Sequence, residues 1–444
     1  NAQVTAPLDI QALSATGRDG DFLIAKAAYS LRSLGTRQAT LAATGDTVAR
    51  ANGQFVCQVR RPSDDALKSF TAAEVTDGTL LSFVTEEVTL LDGTDFSTGF
   101  PSGISAYNPN SALAISFGNS IGGSDNTYLA EVVGSGVFIP LRRTLSTNLF
   151  VGDTVTFSVE VFLPTSNTST GITLLTNTLS TSSHNIQVTK GSWQTISVTS
   201  TKTSSASDQF RINRFIDASD SEVTTVGDKI YVRRFKVTVK SSDGFVKTWY
   251  DQSVTTQAGD TATGNHATQA TAANQPKIVS AGALNTNGGL LFDGTNDKLE
   301  FTALDDANVA MFSVLRFNDV SGTKQVLGSS SGDGTFGIAS EDTYKYSDNS
   351  GSQDGDLNAT ITTSADFLYS GLKSGSGNTI SFFTNGTASE VKTITGSVES
   401  DTIGGPTNHL SANLKEIVIY TTDQSDNRTA IEANMGEVYS IDLP

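Results

Sequence analysis

Acidic and amide side chains in turn-like segments of the sequence could supply oxygen ligands to a metal ion. The segment FDGTNDKL contains Asp293, Asn296 and Asp297, and the segment SDNSGSQDGD contains further aspartates. Oxygen atoms of this kind are the ligands that Ca²⁺ takes in proteins. Neither segment has the spacing of a known calcium loop, so a turn and a solvated loop stay open as alternatives. A calcium ion at Asp293, Asn296 and Asp297 is the one cofactor that the sequence suggests.

Aromatic residues in polar surroundings could bind sugars, because a sugar ring can stack on an exposed aromatic face. The candidates are tyrosines in polar, loop-like segments, namely Tyr107, Tyr128, Tyr344 and Tyr346. Among these segments, EDTYKYSD (341–348) is the preferred ligand-facing loop. Trp193 and Trp249 lie in strand-like patterns, where burial in a core is the alternative, and Trp193 is kept as a fifth candidate.

The composition excludes two classes of partner. The 444 residues carry a net charge of −17, and only 17% of them are charged. Such a surface repels the phosphates of nucleic acids and anionic membranes. No run approaches the roughly 18 apolar residues of a membrane span. We therefore expect no nucleic-acid partner and no membrane insertion.

Histidine and cysteine are common catalytic residues, but their positions in this sequence do not indicate a catalytic or metal site. The three histidines lie in polar segments without the neighbours that a metal site or a catalytic triad needs, which predicts surface positions. The single cysteine, Cys57, excludes an intrachain disulfide. Because it lies in the apolar alternation FVCQV, it is predicted to be a buried structural thiol.

The pattern of the first 86 residues predicts an N-terminal arm followed by the first part of a folded domain. Residues 1–20 lack periodicity and are interpreted as an N-terminal arm. In 21–34, apolar residues recur at helical spacing and allow one short helix. FVCQVRR then alternates as a strand, and in SDDALKSFTAAEV the residues Ser63 and Asp64 could cap a short helical turn.

The rest of the chain is dominated by strand patterns. In 87–241, period-two strands separated by turn-rich pieces predict a self-contained antiparallel sandwich. Further strands in 242–444 predict a second sandwich. That second sandwich is closed by a helix with Ile431, Met435 and Tyr439 on one face. The sequence therefore predicts an all-β protein of two jelly-roll β-sandwiches with few short helices.

Several motifs of the outer regions resemble a known domain. The segments VCQVRRPSDD, FVKTWYDQS, GNHATQATAANQPKIV and LLFDGTNDKL are together similar to a concanavalin A-like (laminin G-like) domain of tailed-phage virion proteins. They also resemble the catalytic domain of arabinofuranosidase B. In both groups the SD and YDQS segments lie close together, whereas here almost 190 residues separate them. The resemblance implies one domain, split into 21–86 and 242–444 by an insertion at 87–241.

The insertion has a resemblance of its own. GDTVTFSVEVFL, KGSWQTISVTST and GDKIYVRRFKVTV are similar to carbohydrate-binding modules of the family 4/9/22 type, and the pair Gly191 and Trp193 is the most characteristic piece. This resemblance implies an inserted β-sandwich that binds carbohydrate.

The arabinofuranosidase resemblance raises the question of glycoside hydrolysis, which requires two carboxylates about 5–5.5 Å apart in a retaining enzyme. In that family the acid/base is an aspartate directly after a GIGG turn. Here the corresponding segment is DTIGGPTNH, and Pro406 follows the glycines. Proline cannot transfer a proton, and Asp401 is the only nearby carboxylate that could replace it. We therefore expect no catalytic residue and no enzymatic activity.

The resemblances together imply a phage virion structural protein (a tail fibre, a head fibre or a capsid decoration protein). Its sandwiches would be displayed on the virion surface for adhesion to host or environmental glycans. The expected partners are other virion proteins, copies of the chain itself in a homotrimer, and a host-surface glycan. The alternatives are a secreted glycan-active enzyme with an attached binding module and a bacterial surface adhesin.

Overall fold

The structure is a computed structural model. It describes residues 25–32, 55–93, 96–100, 104–105, 113–134, 141–145, 149–176, 180, 183–204, 208–252, 265–330 and 334–444. The N-terminal arm predicted at 1–20 and the candidate Tyr107 lie outside the described residues.

The chain divides into two compact units. The first unit comprises 1–60, 67–83 and 244–444, and the second comprises 61–66 and 84–243. The predicted insertion at 87–241 falls within the second unit, which also takes 61–66 from the segment assigned to the split domain. The resemblances proposed for the two parts stay predictions.

The described residues of the first unit form strands and three short α-helices. Its helices are α1 (Ala72–Thr76), α2 (Thr79–Val84) and α3 (Arg428–Tyr439). Its strands are β1 (Ala27–Ser30), β2 (Phe55–Arg61), β3 (Ala66–Thr71), β16 (Gly244–Trp249), β17 (Ala267–Thr268), β18 (Lys277–Ser280), β19 (Ala283–Leu284), β20 (Leu290–Asp293), β21 (Leu299–Asp306), β22 (Val309–Phe317), β23 (Lys324–Gly328), β24 (Thr335–Ser340), β25 (Thr343–Asp348), β26 (Gly351–Asp356), β27 (Phe367–Ser374), β28 (Thr379–Thr384), β29 (Thr387–Ala388), β30 (Lys392–Thr393), β31 (Val398–Ile403) and β32 (Ser411–Tyr420).

The strands of this unit form two antiparallel runs that meet at β16. One run follows the order β16-β17-β21-β31-β23-β24-β25-β26, and the other follows β16-β18-β20-β32-β22-β27-β28. The second run is strongly apolar: eight of the nine residues of β22 are buried. Strands buried on both sides lose the alternation of inward and outward residues. The fold prediction of an all-β sandwich with few short helices is confirmed.

The helix predicted at 21–34 is wrong. Ala27–Ser30 form strand β1, which pairs antiparallel with β32 from Ala27 opposite Ile419 to Ser30 opposite Glu416. All four residues of β1 are buried. A short strand without polar alternation cannot be distinguished from a helix by apolar spacing alone. The segment is a strand because it pairs with β32.

The helical turn predicted after Ser63 and Asp64 begins later. Residues 66–71 are strand β3, and α1 is capped instead by Thr71, whose Oγ1 accepts a hydrogen bond from Glu74 N at 3.3 Å. The Glu74 carboxylate accepts in return from Thr71 N at 2.9 Å, which completes a capping box. Asp64 is engaged by the guanidinium of Arg61 through bonds of 2.9 and 2.8 Å.

The closing helix is confirmed as α3. Ile431 and Met435 are fully buried in a cluster with residues of β22, β27 and β32, and Tyr439 packs against it. The predicted apolar face therefore covers the sheet.

In the part of the second unit that the structure describes, the strands form two six-stranded antiparallel sheets. The order of the first, called the β12 sheet, is β12-β9-β15-β7-β6 with β4 beside β15; the order of the second, called the β11 sheet, is β11-β10-β13-β8-β5 with β14 beside β13. Their strands are β4 (Glu87–Gly93), β5 (Ile104–Ser105), β6 (Leu113–Ile121), β7 (Ser124–Val132), β8 (Leu141–Leu145), β9 (Thr154–Phe162), β10 (Gly171–Thr176), β11 (Ser183–Gln187), β12 (Trp193–Thr201), β13 (Asp208–Ile216), β14 (Glu222–Val223) and β15 (Lys229–Lys240).

The core of this unit lies between the two sheets. On β9, Val155, Phe157, Val159 and Val161 are fully buried and alternate with more exposed polar residues. They pack with buried residues of β10, β13 and β15 in one cluster. Among the described residues, no helix has the length and apolar character needed to cross a bilayer.

Candidate functional site

Three of the predicted sugar-binding tyrosines are buried, so the expectation of exposed aromatic faces in polar loops is wrong for them. Tyr344 and Tyr346 lie on strand β25 and are 0% exposed. Tyr344 stacks on Phe382 with a centroid distance of 4.4 Å, and its hydroxyl donates to Glu390 O at 2.9 Å. The segment TYKYS alternates aromatic and polar residues as a strand does, and the aromatic side faces the core.

Tyr128 is likewise 0% exposed, because Phe96, Phe100 and Phe117 surround its ring at centroid distances of 5.5–6.1 Å. Trp249 is fully buried against Tyr29, as the core alternative predicts. Trp193 is the remaining described candidate, and it is half-buried.

Trp193 belongs to a row of aromatic side chains on the outer face of the β12 sheet. The register places Trp193 opposite Phe162 and Phe162 opposite Tyr231. The ring centroids are 5.7 Å apart for Trp193 and Phe162 and 6.2 Å apart for Phe162 and Tyr231. Val161 points into the core, so Phe162 points to the opposite face. Trp193, Phe162 and Tyr231 are called the aromatic row.

The indole of Trp193 is held in a fixed orientation. Its Nε1 donates to Ile121 O at 3.1 Å. The guanidinium of Arg233 lies over the ring at 4.3 Å from the centroid, a favourable cation–π distance. A side chain fixed in this way loses little conformational freedom on binding a ligand, so its contact area is available at low entropic cost.

A charged cluster adjoins the aromatic row. The carboxylate of Glu160 accepts from Arg233 Nε at 2.6 Å and from Arg234 Nη1 at 2.8 Å. Partial burial alone would raise the pKa of Glu160, but the hydrogen bonds from Arg234 and Arg233 outweigh it and lower that pKa. Glu160 is therefore ionised at neutral pH, and the cluster presents fixed donors and acceptors beside the aromatic rings.

A β-bulge on β15 makes this cluster possible. The register between β15 and β9 shifts between Arg233 and Lys236, and Arg234 has a φ of 50°. The extra residue breaks the alternation of faces, so consecutive arginines both reach Glu160. Bulges are common where a strand must re-aim a side chain for function, and a non-glycine residue at positive φ costs about 1–3 kcal/mol.

Polar residues continue the same face beyond the cluster. Thr195 lies opposite Glu160, and in the next row Ser197 lies opposite Ser158, which lies opposite Lys236. Thr195 and Ser197 are exposed. The face thus combines an aromatic row with hydroxyl, carboxylate and cationic groups, which is the combination that a ligand with apolar ring faces and many hydroxyls would use.

The predicted calcium ligands form a hydrogen-bonded turn. Asp293 Oδ1 accepts from Thr295 N at 2.7 Å and from Asn296 N at 3.3 Å, and Asp297 Oδ2 accepts from Asp293 N at 3.0 Å. These bonds occupy carboxylate oxygens that the prediction assigned to the ion. Within the described part of the chain, no group of three or more His, Cys, Asp or Glu could hold a metal ion.

Asp297 gives the turn an expected pH dependence. Burial, and secondarily the charge of Asp293, raise its pKa to about 7. Because the folded pKa exceeds that of the unfolded chain, Asp297 contributes stability below about pH 4 that is lost as the pH rises through 7. We expect Asp297→Asn to be more stable than the parent by about 1–3 kcal/mol at pH 8 and unchanged at pH 4.

Urea denaturation at the two pH values measures this difference. Glu300→Gln, at an exposed carboxylate of the neighbouring strand, is the control and should show no pH-dependent gain. An equal effect of Asp297→Asn at pH 4 and pH 8 would contradict the assignment.

Asp401, which the sequence suggests as a replacement for the missing acid, is engaged by neighbouring hydroxyls. Its carboxylate accepts from Ser330 Oγ at 2.6 Å and from Ser330 N at 3.1 Å. Partial burial would raise the pKa of Asp401, but the hydrogen bonds from Ser330 and Thr402 outweigh it and lower that pKa. A carboxyl group with a lowered pKa is a poor proton donor at neutral pH.

No protein-family model matches the chain, and no curated protein matches its sequence. Among solved structures, a xylan-binding CBM22-1 domain from Paenibacillus barcinonensis is 12% identical with a TM-score of 0.25, over 35% of this chain and 96% of that domain. The LG4–5 domains of the mouse laminin α1 chain are 11% identical with a TM-score of 0.23, over 76% of this chain and 93% of theirs. Likeness at this level carries no information about the ligand of this chain.

Sequence reasoning found one member of the site, Trp193, and missed Phe162, Tyr231, Arg233 and Glu160. A signal for the cluster was present. In the segment IYVRRFKV, two adjacent arginines separate the inward Val232 and Phe235, where strict alternation allows one residue. Such an interruption indicates a bulge.

Proposed function

We propose that the chain is a non-enzymatic surface protein of a phage particle and that its second unit binds carbohydrate on the β12 sheet. The observation that carries the carbohydrate assignment is the aromatic row beside the Glu160–Arg233–Arg234 cluster. Trp193 and Tyr231 are both partly exposed, so the ring surface that Arg233 and Phe162 leave open can take the apolar face of a sugar. Thr195 and the charged groups can bond its hydroxyls.

Two further points support the proposal. The motifs around YDQS, GNH and LLFDG resemble those of phage virion proteins, which favours display on a particle. The low share of charged residues and the absence of a disulfide favour assembly of the chain into a homotrimer. Pro406 stands where the arabinofuranosidase family has its acid/base, and Asp401 has a lowered pKa, so hydrolysis of the bound glycan is not expected.

The test is retention of the full chain in gels that contain soluble polysaccharides, with a panel of neutral and acidic plant, algal and bacterial polymers. We expect at least one polymer to retard the parent protein. Trp193→Ala should reduce its retention by about tenfold or more, because truncating an aromatic residue that anchors a ligand costs about 2 kcal/mol or more. Tyr231→Ala should act in the same direction.

Val226→Ala is the matched control. Val226 is 66% exposed and lies outside the aromatic row, so its loss should leave retention unchanged. Reducing-sugar release from the retained polymer should equal that of a heat-inactivated sample. Retention that survives both Trp193→Ala and Tyr231→Ala would place the binding site elsewhere, and sugar release by the parent would overturn the non-enzymatic assignment.

A further inference from the structure

The first unit contains a cleft that the proposed glycan site does not use. Its volume is about 410 Å³, within the range typical of small-molecule sites. Apolar residues of three elements line it, namely Val75 of α1, Ile278 of β18 and Leu284 of β19. Arg32, Lys415 and Tyr439 line it as well.

Among the described residues that line the cleft, the charged ones are Arg32 and Lys415, and their acidic partners do not line it. Arg32 Nε and Nη2 donate to Glu416 at 2.6 and 2.9 Å, and Glu416 is 0% exposed. Lys415 Nζ pairs with Asp366. Neither Glu416 nor Asp366 lines the cleft. A ligand in the cleft therefore meets positive charge and not the compensating negative charge.

The two cations are gathered around one ring. Arg32 Cζ lies 5.7 Å and Lys415 Nζ lies 5.9 Å from the centroid of Tyr439. The Tyr439 hydroxyl donates to Glu416 at 2.9 Å, which fixes the ring. Arg32 also has an unsatisfied donor, because its buried Nη1 makes no hydrogen bond to any described residue.

A glycine turn forms one wall of the cleft. Gly288 and Gly289 line it with φ values of 71° and 70°. A Cβ on Gly289 would lie 2.3 Å from Leu414 O, so only glycine allows the turn to approach β32 this closely. The close approach places the backbone of the turn beside Lys415.

We propose that this cleft binds a small organic carboxylate with an apolar body. The apolar body would lie against Val75, Ile278 and Leu284. The carboxylate would lie beside Arg32 and Lys415, since charge-assisted hydrogen bonds to carboxylates are the strong ones. The site is separate from the aromatic row and does not depend on the function proposed for it.

The test uses the full chain and four probes: hexanoate, benzoate, hexanamide and hexylammonium. Ligand-observed NMR and isothermal titration calorimetry at low ionic strength measure binding. We expect the carboxylates to bind with a Kd below about 1 mM, hexanamide about tenfold or more weakly, and hexylammonium not at all.

Two variants locate the binding. Lys415→Met removes one cation but keeps the apolar stem, and Asp366 retains its bond to Arg316 Nε at 3.1 Å, so the fold should persist. It should weaken hexanoate about tenfold. Ala72→Leu extends a side chain into the cleft and should abolish binding, whereas Ala73→Leu changes an exposed neighbour on α1 that does not line it and should have no effect.

Equal affinity for hexanoate and hexanamide would overturn the charge assignment. Hexanoate binding that is unchanged in both Lys415→Met and Ala72→Leu would overturn the location. The absence of binding by either carboxylate at about 10 mM, on the order of ten times the expected upper limit of Kd, would overturn the proposal. Thermal melting of each variant verifies that the first unit is folded in every comparison.

Discussion

Glu416→Ala is expected to lower the free energy of unfolding of the first unit by about 3–5 kcal/mol. Glu416 is fully buried on β32 and accepts two bonds from Arg32 and one from Tyr439. Removing the carboxylate leaves a largely buried guanidinium without its counter-charge, and that desolvated charge is the main cost. Chemical denaturation followed by far-ultraviolet circular dichroism measures the loss.

Glu300→Ala is the matched control, because Glu300 pairs with Lys298 at 2.7 Å but its side chain is 56% exposed. An exposed pair contributes about 0–1 kcal/mol. The double variant Arg32→Met, Glu416→Leu removes both charges and should recover much of the stability lost in Glu416→Ala. A loss in Glu416→Ala no larger than in Glu300→Ala would show that the buried pair does not stabilise the unit.

Deletion of residues 88–240, with the ends joined by a short Gly-Ser linker, is expected to leave a folded protein that has lost polysaccharide retention entirely. Each unit has a hydrophobic cluster of its own: one contains residues of β9, β10, β13 and β15, and the other contains residues of β1, β22, β27, β32 and α3. The shortened chain should melt cooperatively and should still bind hexanoate, because the whole lining of the cleft lies outside the deletion.

The two ligands make the outcomes distinguishable. A shortened chain that is soluble only when unfolded, under conditions where the parent folds, would count against an insertion. A folded shortened chain that is still retained by the polysaccharide would count against the aromatic row. Binding of hexanoate with loss of retention is the expected combination.

Strands with one buried face could be predicted almost to the residue. The segment TVTFSVEVFL (154–163) has the period of two expected of a strand, and β9 spans Thr154–Phe162. The reason is physical: Val155, Phe157, Val159 and Val161 point into the core while the residues between them face outward. A period of two appears in the sequence only when the two faces of a sheet differ in polarity.

Elements whose environment is set by distant partners could not be predicted in this way. Tyr344 and Tyr346 lie among polar residues in the sequence, and their burial depends on Phe382 and Phe336, which lie on other strands. β1 is a strand because β32, almost 400 residues away, supplies its hydrogen bonds. Neither the burial of these tyrosines nor the strand conformation of β1 can be deduced from the neighbouring residues in the sequence. Of the candidate site, Trp193 was recognisable, but its neighbours are brought together by register across β12, β9 and β15.

The single cysteine can report local opening of the strands that surround it. Cys57 lies on β2 and is fully buried, and burial raises the pKa of its thiol. A thiol in this state reacts with a disulfide reagent only after the surrounding strands open. With no second cysteine to compete, the labelling rate under native conditions reads out the opening of the sheet around β2, with no introduced probe.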